Sequence, residues 1–148
     1  MRPNDTEPRP AKPAATVLVV DDNPINLKLV SDLLAFEGYR VLKADDGEKA
    51  AASVREDPPD LILLDVDLPG IDGLTLTNRL KSDPPTADII IVALTAFAMK
   101  ADRQRAIAAG CDAYVTKPIN TRELPVQVAE LLERRRKQKS NESMEDAH

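Results

Sequence analysis

Apolar runs alternate with amphipathic segments along most of the chain. Short runs rich in Val, Ile, Leu or Ala, bounded by turn residues, are typical of strands. Five such runs predict strands at Thr16–Val20, Arg40–Ala44, Leu61–Asp65, residues 89–95 and Ala113–Thr116. Between and after them, apolar residues three or four positions apart predict amphipathic helices. These helices cover Pro24 to Gly38, Gly47–Glu56, residues 74–82, Lys100–Ala109 and residues 121 to about 137.

Turn residues and apolar spacing define the first and last helices. Asp22 or Asn23 suits the N-cap of the first helix, Pro24 its first turn, and Gly38 the position after its end. Thr121 is the predicted cap of the last helix. The residues predicted to face the core are Leu29, Val30, Leu33 and Leu34 in the first helix, and Leu124, Val128, Leu131 and Leu132 in the last.

Alternation of five strands with five helices predicts one α/β domain. The connections favour a parallel sheet covered on both faces, with right-handed crossovers. Residues 89–95 are apolar on both faces and suit the centre of the sheet, whereas Arg40–Ala44 suits an edge. We expect residues 1–15, with four prolines, to form a disordered arm, residues 16–134 the domain, and residues 135–148 a charged helix end with a frayed tail.

Composition and charge exclude several classes of protein. No apolar stretch approaches the roughly 20 residues needed to span a bilayer, and the N-terminus lacks the apolar segment of a secretory signal. The lone Cys111 fits a reducing cytoplasm.

The net charge of −5 is unevenly distributed along the chain. Residues 1–15 have a net charge of +1 and residues 134–148 a net charge of +2, so residues 16–133 have a net charge of about −8. Such an acidic body argues against nucleic-acid binding. The basic residues 134–137 suit a solvated helix end more than a contact with an anionic partner.

Polar residues follow four of the predicted strands at the same end. Asp21 and Asp22 follow the first, Asp65 ends the third, Thr95 ends the fourth, and Lys117 follows the fifth. A lone Asp at a strand end is usually a turn residue, but strand ends of a parallel sheet converge on one crevice. Three carboxylates there would repel one another, and Mg²⁺ bound by carboxylates and water relieves this. With a hydroxyl and a lysine, the set suits phosphoryl transfer to a carboxylate. A cis peptide before Pro118 would direct the lysine back over the sheet.

The motifs VLVVDD, LILLDVDLPGIDG, ALTA and YVTKP, in this order, resemble the receiver domain of bacterial two-component response regulators. The resemblance covers roughly residues 16–134, and ALTAFAMK with AAGCDAYVTKPI is similar to single-domain regulators of the DivK type. It implies the CheY-like, flavodoxin-like (βα)5 fold with five parallel strands in the order 2-1-3-4-5. A charged C-terminus favours a complete chain, although it also suits a linker in a receiver excised from a hybrid kinase or a cyclase.

The resemblance also implies roles for individual residues. Asp65 accepts phosphate from a phosphohistidine on a sensor histidine kinase or a histidine phosphotransfer protein. Mg²⁺ is bound by Asp21, Asp22, Asp65 and the backbone carbonyl of Asp67. Thr95 and Lys117 contact the phosphoryl group, and Tyr114, unless it simply packs in the core, is the switch residue. The output is then a protein target on the surface of helix four, strand five and helix five. The protein is a phosphoacceptor that promotes its own phosphotransfer and dephosphorylation, not an enzyme acting on another substrate.

Asp67 departs from many relatives, which carry Met, Asn, Gln or Glu two residues after the acceptor. Its side chain adds negative charge at the rim of the site and bears on the lifetime of the phosphoryl group. An acid at this spacing also suits a general acid, so a Mg²⁺-dependent phosphohydrolase is the alternative function. The Asp21-Asp22 pair and the Lys117-Pro118 motif argue against it.

Overall fold

The computed structural model describes residues 15–68, 72–96 and 99–146. The strands are β1 (Thr16–Val20), β2 (Arg40–Ala44), β3 (Leu61–Asp65), β4 (Ile90–Thr95) and β5 (Ala113–Thr116). The helices are α1 (Pro24–Phe36), α2 (Gly47–Glu56), α3 (Gly73–Ser82), α4 (Lys100–Ala109) and α5 (Glu123–Asp146). Strand and helix alternate throughout, as the sequence predicts.

The five strands form one parallel sheet in the order β2-β1-β3-β4-β5. This is the flavodoxin-like order 2-1-3-4-5, and the predicted fold class is confirmed. Both β3 and β4 are buried along their whole length, because they have a strand on either side and helices on both faces. The strand order reverses between β1 and β3, so the crevice of such a fold opens above the ends of these two strands.

Two apolar cores lie on opposite faces of the sheet. On one face, α2, α3 and α4 cover the alternate strand residues that include Leu18, Ile62 and Ile91. On the other face, α1 and α5 cover those that include Val19, Leu63 and Val92. The period-two alternation of strand side chains therefore supplies both cores from the same strands.

The ends of α1 follow the predicted capping chemistry. The Asn23 side chain accepts from the backbone N–H groups of Ile25 and Asn26. Gly38 adopts a φ of 100°, a left-handed conformation that glycine adopts without steric cost. Together these residues fix where the helix leaves β1 and where the chain turns into β2.

Three predicted details differ from the structure. Leu29 is 45% exposed, because α1 directs Val30, Ser31 and Leu34 inward. Asn120, not Thr121, caps α5, since its side chain accepts from the backbone N–H groups of residues 122 and 123. Helix α5 continues to Asp146, beyond the predicted end near residue 137. Residues 138–146 contain no proline that would break the helix.

Some predictions concern residues outside the described ranges. The predicted arm at residues 1–15 is described only at Ala15. Pro69 and Gly70, whose residue types favour a turn after β3, lie outside the described residues. No helix in the described part of the chain combines the length and the apolar character needed to cross a bilayer.

Candidate functional site

Three carboxylates meet above the ends of β1 and β3. One oxygen from each of Asp21, Asp22 and Asp65 lies within 4.8 Å of the other two. Asp21 and Asp65 are each 2% exposed, whereas Asp22 is exposed. The register of β1 against β3 brings these residues together, because Val20 pairs with Leu64 and each acid follows directly. The predicted cluster of acids is thus present.

Lys117 follows β5, the edge strand of the sheet, and its side chain reaches this cluster. Its Nζ lies 3.0 Å from Asp65 Oδ2 and 3.6 Å from Asp21 Oδ2. The Lys117 N–H donates to the Thr95 carbonyl at 2.7 Å, which ties the loop after β5 to the end of β4. The Lys117-Pro118 peptide is cis, as predicted. Three carboxylates and one ammonium leave a surplus of two negative charges on these four side chains.

Backbone N–H groups orient the two buried carboxylates. The N–H of Asn23 donates to Asp21 Oδ1 at 2.9 Å, and the N–H of Asp67 donates to Asp65 Oδ1 at the same distance. Each donor lies two residues after its acceptor. One carboxylate oxygen of Asp65 therefore accepts from a backbone N–H, and the other accepts from the Lys117 ammonium. These two contacts fix the plane of the carboxylate.

Burial and crowding of like charges shift the pKa values at the site. Burial raises the pKa of Asp21 above its ordinary value; the Asn23 N–H and Lys117 oppose this, and the Asp65 charge adds to it. The pKa of Asp67 is also raised, first by partial burial and then by Asp65. Burial acts to lower the pKa of Lys117, but the Asp65 and Asp21 carboxylates outweigh burial and the net shift is upward. The site thus favours cations and disfavours further negative charge.

Thr95 and Tyr114 extend the site towards α4. Thr95 ends β4 beside β3 and is 2% exposed. Tyr114 lies on β5, half-buried against the core that includes Ile91 and Ala106. The guanidinium carbon of Arg103 in α4 lies 5.6 Å from the centroid of the Tyr114 ring. This cation–π contact joins α4 to the sheet edge.

The donor set fits a hard divalent cation. Mg²⁺ prefers oxygen ligands, uses one or two carboxylates and keeps several waters. The carboxylates of Asp21, Asp22 and Asp65 supply such oxygens, and exposed Asp22 leaves one side of the cluster open to water. A cation here also offsets the negative surplus that Lys117 does not neutralise.

Residues 17–129 match the sequence family described as the response regulator receiver domain. The chain belongs to this family. A polar-differentiation response regulator, DivK, of Brucella anthropi is 44% identical over 105 residues, which are 71% of this chain and 85% of that protein. The chemotaxis protein CheY4 of Vibrio cholerae has a structure with a TM-score of 0.75 and 28% identity, covering 79% of this chain and 98% of that one.

A third relative bears on the acidic cluster. The receiver domain of a sensor histidine kinase from Pseudomonas aeruginosa has a TM-score of 0.71 and 32% identity, over 82% of this chain and 96% of that one. Its crystal structure has a magnesium ion coordinated in the active-site cleft. Receiver domains typically bind Mg²⁺ at their acidic pocket and interact with histidine kinases and downstream targets. The protein is thus a DivK-like response regulator of two-component signalling, a family in which phosphorylation and partner binding are typical.

Several contacts at the site are not evident from the sequence. The N–H groups of Asn23 and Asp67 are backbone donors, and almost any residue supplies one, so no residue type indicates them. Arg103 is one of several exposed basic residues, and its position over Tyr114 depends on the packing of α4. The side chains at the strand ends, in contrast, were all identifiable from their residue types.

The metal-free protein is expected to lose stability as pH rises from about pH 4 towards neutrality. In the folded state the pKa values of Asp21 and Asp67 lie above the ordinary 3.8. Between 3.8 and these raised values the folded chain binds more protons than the unfolded chain, so the free energy of unfolding falls with rising pH. Asp45 and Asp57, whose pKa values are lowered in the folded state, affect the free energy of unfolding only below this pH range.

The measurement is the urea midpoint across this range in the presence of a chelator. The Asp21→Asn variant is the control, because it lacks one of the two carboxyls with a raised pKa and should show a smaller fall. A wild-type midpoint that stays level or rises over the same range contradicts the prediction.

Proposed function

We propose that Asp65 is the phosphoacceptor of this receiver domain. The observation that carries the proposal is the setting of its carboxylate, which is buried at the end of β3, oriented by the Asp67 N–H and in contact with Lys117 at 3.0 Å. A carboxylate held in one plane is placed for attack on phosphorus, and an adjacent ammonium stabilises the charge of an incoming phosphoryl group.

The proposed reaction transfers a phosphoryl group from a phosphohistidine. A bond forms between phosphorus and a carboxylate oxygen of Asp65, and the bond between phosphorus and the imidazole nitrogen breaks. The imidazole leaves with the bonding electron pair and takes a proton from solvent, while Asp65 becomes an acyl phosphate. Lys117 then neutralises part of the new charge, and the Thr95 hydroxyl donates to a phosphoryl oxygen. Loss of the group by hydrolysis returns the carboxylate and inorganic phosphate.

Asp21, Asp22, Asp65 and the backbone carbonyl of Asp67 are the proposed ligands of Mg²⁺. When bound, the ion supplies neutralisation of the phosphoryl and carboxylate charges. The spacing of the three carboxylates and their negative surplus support this assignment. Without a cation, an incoming phosphoryl group would face two carboxylates besides the acceptor.

An apolar surface beside the cluster suits the donor protein. Ile25, Leu29 and Phe36 occupy one face of α1, because Leu29 and Phe36 follow Ile25 by about one and about three helical turns. Their exposures are 77%, 45% and 85%. Helix α1 begins two residues after Asp22. We propose that a phosphohistidine-bearing kinase or phosphotransfer protein in the cytoplasm docks on this face, which continues directly into the acceptor site.

The proposed output surface consists of α4, β5 and α5. Helix α4 is weakly held, since Ala106 is its one buried residue and Met99 offers no side-chain cap. A phosphoryl group on Asp65 would draw the Thr95 hydroxyl towards it and give Tyr114 space to move inward. Because α4 buries only Ala106, we expect a modest bias to be enough to shift this helix. A protein target that recognises the shifted surface then reads the signal.

Asp65 should be the site of phosphorylation, and Mg²⁺ should be required. Incubation with a small phosphodonor and Mg²⁺ is expected to add one acid-labile phosphate, which Asp65→Asn abolishes because the nucleophile is lost. Mass spectrometry measures the adduct. The control is Asp60→Asn, at the opposite end of β3, which should be labelled like wild type. Full labelling of Asp65→Asn, or labelling in a chelator, would falsify the assignment.

Asp67→Asn should lengthen the lifetime of the acyl phosphate severalfold. The Asp67 carboxylate is exposed at the rim, and its backbone N–H donates to Asp65 Oδ1 at 2.9 Å, so the proposed role of the carboxylate is to orient a hydrolytic water. The measurement is the decay of acid-labile phosphate in Mg²⁺ after the donor is removed. Asp88→Asn makes the same chemical change at an exposed position before β4 and should leave the decay unchanged.

An unchanged lifetime in Asp67→Asn would show that its side chain points away from the water. Continuous turnover of a small phosphate ester by wild type, lost in Asp67→Asn, would instead favour the phosphohydrolase alternative.

Thr95→Ala should keep phosphorylation at Asp65 but uncouple it from α4. The hydroxyl carries the proposed coupling, whereas the nucleophile and the cation site remain. Amide NMR shifts are compared with and without a stable phosphoryl mimic. In wild type, residues 100–109 and 113–116 should respond, and in Thr95→Ala they should not. Thr116→Ala, on the paired and exposed position of β5, is the control. Equal responses in both threonine variants would exclude this route.

A further inference from the structure

Gly73 lies directly against the backbone of the acceptor residue. It is the first residue of α3, and its N–H donates to the Val66 carbonyl at 3.3 Å. A β-carbon placed on Gly73 would lie 2.6 Å from Val66 Cα and 2.7 Å from the Asp65 carbonyl oxygen. Both distances are far shorter than a carbon–carbon or carbon–oxygen contact allows. The absence of a side chain therefore lets α3 rest on the peptide that joins Asp65 to Val66.

Glycine is required at position 73 because there is no room for a β-carbon, not because the backbone conformation excludes other residues. Gly73 is helical, and any residue adopts that backbone. The atoms that a β-carbon would meet all belong to the backbone, so no rotamer change relieves the overlap. An alanine at this position must move either the first turn of α3 or the Asp65–Val66 peptide.

Both sides of this contact are anchored. On the helix side, Leu76 and Leu80 are buried in the core, and the Thr77 hydroxyl donates to the Gly73 carbonyl at 2.8 Å. On the strand side, the Val66 N–H donates to the Leu94 carbonyl at 3.0 Å, which continues the β3–β4 ladder. Neither side can yield alone, so displacement is shared and reaches the acceptor.

We infer that Gly73 is a positioning residue of the phosphoryl site, supported by Thr77. The inference rests on the proposed function of Asp65 and goes beyond it. The peptide seated on Gly73 lies between the acceptor carboxylate and Asp67, whose N–H orients that carboxylate and whose carbonyl is the proposed metal ligand. A shift of this peptide thus changes the position of Asp65 relative to Lys117 and the cation site at once.

The test is Gly73→Ala, with Gly38→Ala as the matched control. Gly38 has a φ of 100° at the opposite end of the sheet, so its substitution costs stability through backbone strain but leaves the site intact. For Gly73→Ala, the half-saturating Mg²⁺ concentration should rise and the maximal rate of phosphorylation by a small donor should fall. The fall in rate should be about tenfold to a hundredfold, because a misplacement on the order of 1 Å can cost about 10²-fold.

Two further readouts do not depend on phosphorylation. Calorimetric titration measures Mg²⁺ binding directly, and the amide shifts of Val66 and Asp67 in the metal-free protein report the displaced peptide. Gly38→Ala should match wild type in both at temperatures where each variant is folded. A folded Gly73→Ala with wild-type Mg²⁺ binding and wild-type shifts overturns the inference.

Thr77→Val keeps the inference testable if Gly73→Ala does not fold. It replaces the buried hydroxyl that holds the Gly73 carbonyl by a methyl group. Mg²⁺ binding should weaken severalfold, because the first turn of α3 loses the hydrogen bond that keeps Gly73 against the Asp65–Val66 peptide. Unchanged Mg²⁺ binding in folded Thr77→Val also overturns the inference. If wild type binds Mg²⁺ but is not phosphorylated, the proposed function fails, while the Mg²⁺ titrations still decide the role of Gly73.

Discussion

Repulsion among three carboxylates at one end of a parallel sheet is the constraint on which the site depends. Asp21 and Asp65 are buried and share Lys117, yet Asp22 and Asp67 add further charge at the rim. Charges only a few ångströms apart interact strongly even at the effective dielectric near a protein surface. The fold therefore stores an unfavourable interaction that a cation relieves, and this makes the site responsive to ligands.

The fold offsets part of this repulsion with backbone dipoles. Asp21 and Asp22 lie just before the Asn23 cap of α1, where the helix dipole favours negative charge. The Asn23 N–H, turned towards Asp21, and the Asp67 N–H, turned towards Asp65, act in the same way. Such donors carry no net charge, so they hold the carboxylates in place without neutralising them. The carboxylate oxygens therefore remain available to a cation and, at Asp65 in the proposed reaction, to phosphorus.

The sequence predicted the sheet and the side chains of the site well, because both follow from residue type. The apolar runs could be placed as strands, and a parallel sheet necessarily brings Asp21, Asp65, Thr95 and Lys117 to one end. The predicted burial of Leu29 was wrong, because α1 directs Val30, Ser31 and Leu34 towards the sheet instead. Asn120 was missed as a cap because Thr121 has a similar capping preference. The contact of Gly73 with the Asp65–Val66 peptide is not evident from the sequence, because close backbone contacts depend on tertiary packing that a local pattern does not contain.

The two helices beside the site differ in how firmly they are held. Helix α3 buries Leu76, Thr77 and Leu80 and presses on the acceptor peptide through Gly73. Helix α4 buries Ala106 and is joined to β5 by the contact of Arg103 with Tyr114. Shifting a two-state equilibrium from 1:99 to 99:1 needs about 5.5 kcal/mol, and a few charge-assisted hydrogen bonds of about 1.5–3 kcal/mol each can supply it. If both helices were equally mobile, the free energy of these hydrogen bonds would distort the phosphoryl site itself. In the proposed mechanism α3 holds Asp65 in place, so new contacts to a phosphoryl group would act on Thr95 and α4 and convert phosphorylation into a change of surface.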